Sequence, residues 1–269
     1  MVTQRLLFVT VDMSEVSLSD TTRFLSFARV VFRWPQVGSQ VRKLTLNTKS
    51  MTTGVTPSRE TFGSFTGAME RFLRQETGQR NAGLGEEISS MGIGCILALL
   101  LTHTRQLEIL RLIMDRTELP PIVYLAHRMT GYLHRLESLM VDCRPAFNLA
   151  DLSPLIGLPR LQEFSCWGCI GNNPSVAEDA VDIFRAPEKV NISFLKFRES
   201  SMDERCMTDL VISCPKLHSL IYEATTFPDT GYTHFSPGQL QEVLRSHHSH
   251  VLSWFFGTEI VFRTGQSFQ

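Results

Sequence analysis

Excess charge of either sign is missing from this chain. Its 26 Lys and Arg stand against 27 Asp and Glu, a net charge of −1 over 269 residues. No bulk field is present to draw in a nucleic acid or an anionic membrane surface. Cysteine is sparse too: six residues at irregular spacing do not make a secreted disulfide framework, and they fit reduced thiols in a cytoplasmic or nuclear protein. A long hydrophobic run is also absent. The greasiest stretch, IGCILALLL at Ile93–Leu101, is about half as long as a membrane span requires and reads as a buried helix. At the N-terminus, the apolar run Leu6–Val11 is too short for the core of a signal peptide.

Catalytic signatures are missing as well. The chain contains no G-x-x-x-x-G-K-[ST], no G-x-S-x-G and no H-E-x-x-H, so no catalytic residue, cofactor or resident metal is expected. Gly92 and Gly94 lie inside the apolar helix-like run without a third glycine, which points to close packing. The acidic pairs Glu86-Glu87, Glu178-Asp179 and Asp203-Glu204 sit at helix starts, where they complement the helix dipole.

What the sequence does contain is a repeat. Leu161, Phe164 and Cys166 set a template of apolar, two residues, apolar, one residue, apolar. The spacing recurs at Leu6/Val9/Val11, Val41/Leu44/Leu46, Leu107/Leu110/Leu112, Leu136/Leu139/Val141, Ile192/Leu195/Phe197, Leu217/Leu220/Tyr222 and Val251/Trp254/Phe256. The residue before each window is polar, from Arg5 and Gln40 through to His250. Windows follow one another at 25 to 35 residues, apart from one gap of 66, about two periods. Alternation at the end of each window predicts a short strand with one buried face. Several intervening segments predict helices: Ser19 to Trp34, Met202 to Cys214 and Pro237 to Ser246, each opening with helix-start chemistry. Strand and helix alternating at this period predict a parallel stack, an α/β solenoid of about eight repeats forming one domain over 1–269.

Two regions fall outside the pattern. Residues 47–87, rich in Thr, Gly, Ser and Arg, predict an inserted loop carrying one helix near Ala68 to Gln75. The C-terminal GTEIVFRTGQSFQ predicts a frayed edge. Neither end carries a distinct polar cap, which would suit an excised part of a longer array.

The stretches VISCPKLHSLIYEA, IGLPRLQEFSCWGC and LRSHHSHVLSWFF resemble the leucine-rich repeats of fungal F-box proteins, in which a helix ends in a short CP-L or LP-L turn before the strand. The resemblance spans most of the chain and is clearest over residues 105 to 256. It implies a curved horseshoe, with parallel strands on the concave face and helices on the convex one. It also implies a protein that binds other proteins, such as the substrate-recognition part of a ubiquitin-ligase receptor, with ligase components as further partners. The F-box itself is not expected here, because the first repeat strand begins within the first ten residues. A stand-alone or truncated repeat module without a ligase role is the alternative.

Two clusters invite chemistry. Cys166-Trp-Gly-Cys169 can be read as a redox dithiol or half a metal site, a second alternative for the whole chain. In the repeat, however, Cys166 takes the third inward position, and Cys169 takes the ninth, where leucine-rich repeats favour Asn or Cys at the turn. A redox pair also ordinarily opens a helix, and this one follows a strand. His247, His248 and His250, with His234 nearby, read as a solvated turn rather than a metal site.

In this register the third, fifth and seventh residues of each window point away from the core, onto the face where a partner protein would sit. Arg111, Met140, Trp167, Lys196, Arg198 and Ile221 are the expected contact residues, since aromatic and Arg anchors are what binding hot spots tend to contain. A slip of one residue would bury them instead. No single-sign basic stripe is present, so nucleic acid is not an expected partner.

Overall fold

A computed structural model describes residues 9–14, 20–48, 92–129, 131–171, 190–224, 237–247, 253–256 and 261–263. The chain divides into two compact units, Met1–Leu136 and Glu137–Gln269. Both are α/β and built on parallel strands.

The first unit carries β1 (Thr10–Met13), β2 (Lys43–Asn47) and β3 (Ile109–Met114), paired in chain order. Between and after them lie helices α1 (Asp20–Arg33), α2 (Pro35–Gly38), α3 (Gly92–His103) and α4 (Leu119–Arg128). α1 forms where Phe24, Phe27, Ala28 and Val31 fall on one helical face, and all four are buried. α3 is the buried helix expected from its apolar run, and α1, α2 and α4 all pack on it. The close packing expected of the glycines holds at Gly94. A Cβ at Gly94 would come within 2.5 Å of the Glu118 carbonyl oxygen, so only glycine lets α3 approach the turn after β3 this closely.

The second unit carries five parallel strands in chain order: β4 (Ser138–Asn148), β5 (Glu163–Gly171), β6 (Phe194–Met202), β7 (Ser219–Ala224) and β8 (Ser253–Phe256). α5 (Ser153–Ile156) is a single turn after β4, while α6 (Glu204–Ser213) and α7 (Pro237–His247) are full helices packed on each other. α6 starts where the Asp203 carboxylate accepts the Cys206 N–H at 2.6 Å. One expectation fails at the C-terminus. Instead of only a frayed edge, β9 (Val261–Arg263) pairs antiparallel with β8, and its Val-Phe pair has the β propensity that makes such an addition favourable.

The window register holds in six windows, whereas Val9 and Val11 of the first window, on the edge strand β1, are only half-buried. In the six windows beginning at Val41, Leu107, Leu136, Leu161, Ile192 and Leu217, every window position is 1% exposed or less. Equivalent positions also pair across strands, Phe164 with Leu195 and Leu195 with Leu220, so each apolar residue stacks on its counterpart in the next strand. Phe164 and Phe197 meet edge to face at 6.0 Å. Strands β5 and β6 run beyond the predicted windows by passing through a left-handed residue at the eighth position, Gly168 (φ 70°) and Glu199 (φ 45°). Several expectations lie outside the described residues: the first window's Leu6, most of the 47–87 insertion with its helix and Glu86-Glu87, the acidic pair Glu178-Asp179, His234, the turn holding His248 and His250, and the last window's Val251.

Candidate interaction face

Period-two alternation puts the core residues of β4 to β7 on one side of the strands and leaves the other side open. The open side of the second unit is arranged in rows, because parallel pairing sets equal window positions beside one another. The fifth positions form the row Met140, Ser165, Lys196, Ile221, and the seventh positions the row Asp142, Trp167, Arg198, Glu223. All eight side chains are half-buried. Five of the six expected contact residues therefore lie on one face: Met140, Trp167, Lys196, Arg198 and Ile221. Arg111 is exposed on β3 of the first unit, beside Thr45 and on the side of the strand away from Leu110 and Leu112.

Trp167 is the centre of the second unit's face. The Arg198 guanidinium carbon lies 5.2 Å from its ring centroid and the Lys196 ammonium 5.8 Å, so two cations share one indole. Glu223 balances one of them, with its Oε2 3.4 Å from Arg198 Nε. The Lys196 amine is pushed below its ordinary pKa, first by partial burial and then by the neighbouring Arg198, with Glu223 opposing. The register places Asp142 and Glu223 on this face as seventh positions, although neither was among the expected contact residues.

The cysteines are spread over both units: Cys143, Cys166 and Cys169 lie within β4 and β5, Cys206 and Cys214 in and just after α6, and Cys95 on α3 of the first unit. All six are buried and unbridged, and the Cys166 and Cys169 sulfurs are 3.2 Å apart within β5. Burial raises the Cys166 thiol well above its usual value, with Cys169, Cys143 and Cys206 adding to the effect. It also pushes Cys95 and Cys214 up to about 12, far from the thiolate that redox or metal chemistry needs. The Cys169 sulfur lies 3.3 Å from Ser200 Oγ, and its N–H donates to the same oxygen at 3.4 Å. Both residues hold the ninth position of their windows, but inside β5 and β6 rather than in the turn expected at Cys169. Among the described residues, no group of three or more His, Cys, Asp or Glu side chains is arranged to hold a metal ion, and no helix is long and apolar enough to cross a membrane.

Compared with protein-family models, with curated proteins and with solved structures, the chain matches none.

Proposed function

We propose that this chain is a leucine-rich-repeat protein that binds another protein on the open side of its strands. Met140, Trp167, Lys196, Arg198 and Ile221 form the contact surface in the second unit, and Arg111 is a contact residue in the first. The observation that carries the reading is the half-exposed Trp167 held between Lys196 and Arg198 with apolar Met140 and Ile221 in the adjoining row. Large apolar and aromatic surface beside cations is what association recovers from water. By resemblance to F-box repeat proteins, the partner is a target presented to a ubiquitin ligase, in a cytoplasmic or nuclear setting.

The face is tested by panning a displayed random-peptide library on the immobilised protein and on Trp167→Ala. Peptides retained by the former and lost with the latter support the reading, provided both proteins give the same denaturation midpoint. Enrichment indifferent to Trp167 overturns it. The ligase link has its own test, mapping the 5′ end of the transcript. An in-frame F-box ahead of Met1 supports it, and a start at Met1 leaves a stand-alone repeat module.

A further inference from the structure

The reading above names a face and leaves the chemistry of its occupant open. The two cations on Trp167 are not equivalent. Arg198 is already matched by Glu223 at 3.4 Å. No carboxylate pairs with Lys196 among the described residues, and Glu223 acts on it only from a distance. Around Lys196 the row is uncharged, with Ser165 on one side and Ile221 on the other, and Met140 beyond Ser165. The remaining acids on this face stand in other rows: Asp142 and Glu223 at seventh positions, and Glu163 beside Phe194. The Lys196 ammonium already stands over the Trp167 ring, 5.8 Å from its centroid, so part of its side-chain freedom is spent before an anion arrives.

We propose that the face takes a segment of a partner protein in which one Asp or Glu carboxylate meets the Lys196 ammonium while apolar side chains on either side of it rest on Met140 and Ile221. Strands are about 4.8 Å apart, so a segment lying across β4 to β7 spans this row within a few residues. The carboxylate replaces water at the Lys196 ammonium, and the flanking apolar groups cover the surface that Met140 and Ile221 otherwise show to water. Arg198 is a positioning group here: it holds Glu223 away from Lys196 and supports the indole.

This inference rests on the reading of the face as protein-binding, and its test separates the two. Peptides enriched on the protein and lost on Trp167→Ala are sequenced and synthesised, and their affinities measured by fluorescence anisotropy against the full-length chain. They are expected to carry an acid between apolar residues. Lys196→Gln should weaken them about tenfold. Glu223→Gln, which frees Arg198 as a second cation, should strengthen them. Lys196→Glu should bind a peptide whose acid is changed to Lys better than it binds the original. Face-dependent peptides with no acid, or unaffected by Lys196→Gln, overturn this proposal while the binding reading stands. No face-dependent peptide at all removes the reading itself. A labelled oligouridylate that binds with comparable affinity and is lost on Lys196→Gln also overturns it, by assigning the cations to RNA.

Discussion

After each strand the chain must turn with its backbone groups satisfied inside the protein, and the two units meet this demand with different chemistry. In the first unit a carboxyl group serves. Glu118, buried at 3% exposure, accepts the Thr48 hydroxyl and, at 3.3 Å, the Asp115 N–H on Oε2, while its Oε1 has no partner among the described residues. In the second unit hydroxyls and a thiol serve. Ser200 donates to the Arg198 carbonyl at 2.8 Å and accepts from Cys169, and the Tyr222 hydroxyl accepts the Met202 N–H at 3.1 Å. Burial raises the pKa in both places, but from different starting points. The Glu118 carboxyl is raised from the acid range, despite its bonds to Thr48 and Asp115. Tyr222 is raised to about 12, out of reach of ordinary pH. At these positions the first unit thus buries a carboxyl raised from the acid range, and the second a hydroxyl raised to about 12.

The largest effect should be on thiol chemistry. If the second unit's cysteines only pack, Cys166 and Cys169 react with iodoacetamide only when the structure opens. Labelling followed by mass spectrometry should then run at least about a thousandfold slower in native than in denatured protein. Fast native labelling of either residue would revive the redox or metal reading. Core truncation comes next. Phe197→Ala should cost about 3–5 kcal/mol in urea denaturation and Leu112→Ala, its counterpart in the first unit, about 2–5 kcal/mol. A cost under about 1 kcal/mol at either would place that window position outside a packed core.

Glu118 tests the comparison directly. Because the folded chain holds this proton more tightly than the unfolded one, the stabilisation is complete below the ordinary carboxyl pKa and is lost as pH rises through the raised folded value. Glu118→Gln, which keeps the Thr48 bond without a charge to bury, should flatten that loss and gain about 1–3 kcal/mol on the high-pH side. Denaturation curves across pH that coincide for the two proteins would show that Glu118 stays ionised at no cost.

The window positions were legible in the sequence because a strand buried on one face must repeat its apolar residues at fixed spacing, and Leu44, Phe164 and Leu220 obey that rule wherever the strand lies. The open face followed from the same register, which is why Trp167, Lys196 and Arg198 could be grouped before their contacts were visible. The parts that escaped depend on single side chains meeting across turns. Glu118 sits in an ordinary charged stretch, RTEL, and nothing local says that its carboxyl is buried against Thr48, 70 positions away. The pairing of Glu223 with Arg198 escaped because it is a property of neighbouring strands, not of either window. The lengths of β5 and β6 were missed because a bulge continues a strand past the point where alternation stops.

That bulge supplies the smallest test. The eighth window position is left-handed at Gly168 and Glu199 of β5 and β6, whereas Cys143 of β4 and the first unit's equivalents, Thr48 and Met114, are not. Gly168→Ala forces a Cβ into a conformation that L residues avoid and should cost about 1–2 kcal/mol. Glu199→Gly removes the same strain and should raise stability by up to about 1 kcal/mol, reduced by whatever the glutamate side chain contributes. Thr48→Gly gains nothing of this kind and loses the hydroxyl bonded to Glu118, so it should destabilise. Denaturation midpoints that move in these three directions would tie the bulge to the second unit alone. A neutral Gly168→Ala would mean that β5 runs straight past Trp167, which would shift the side chains after it to the opposite face and take Cys169 away from Ser200.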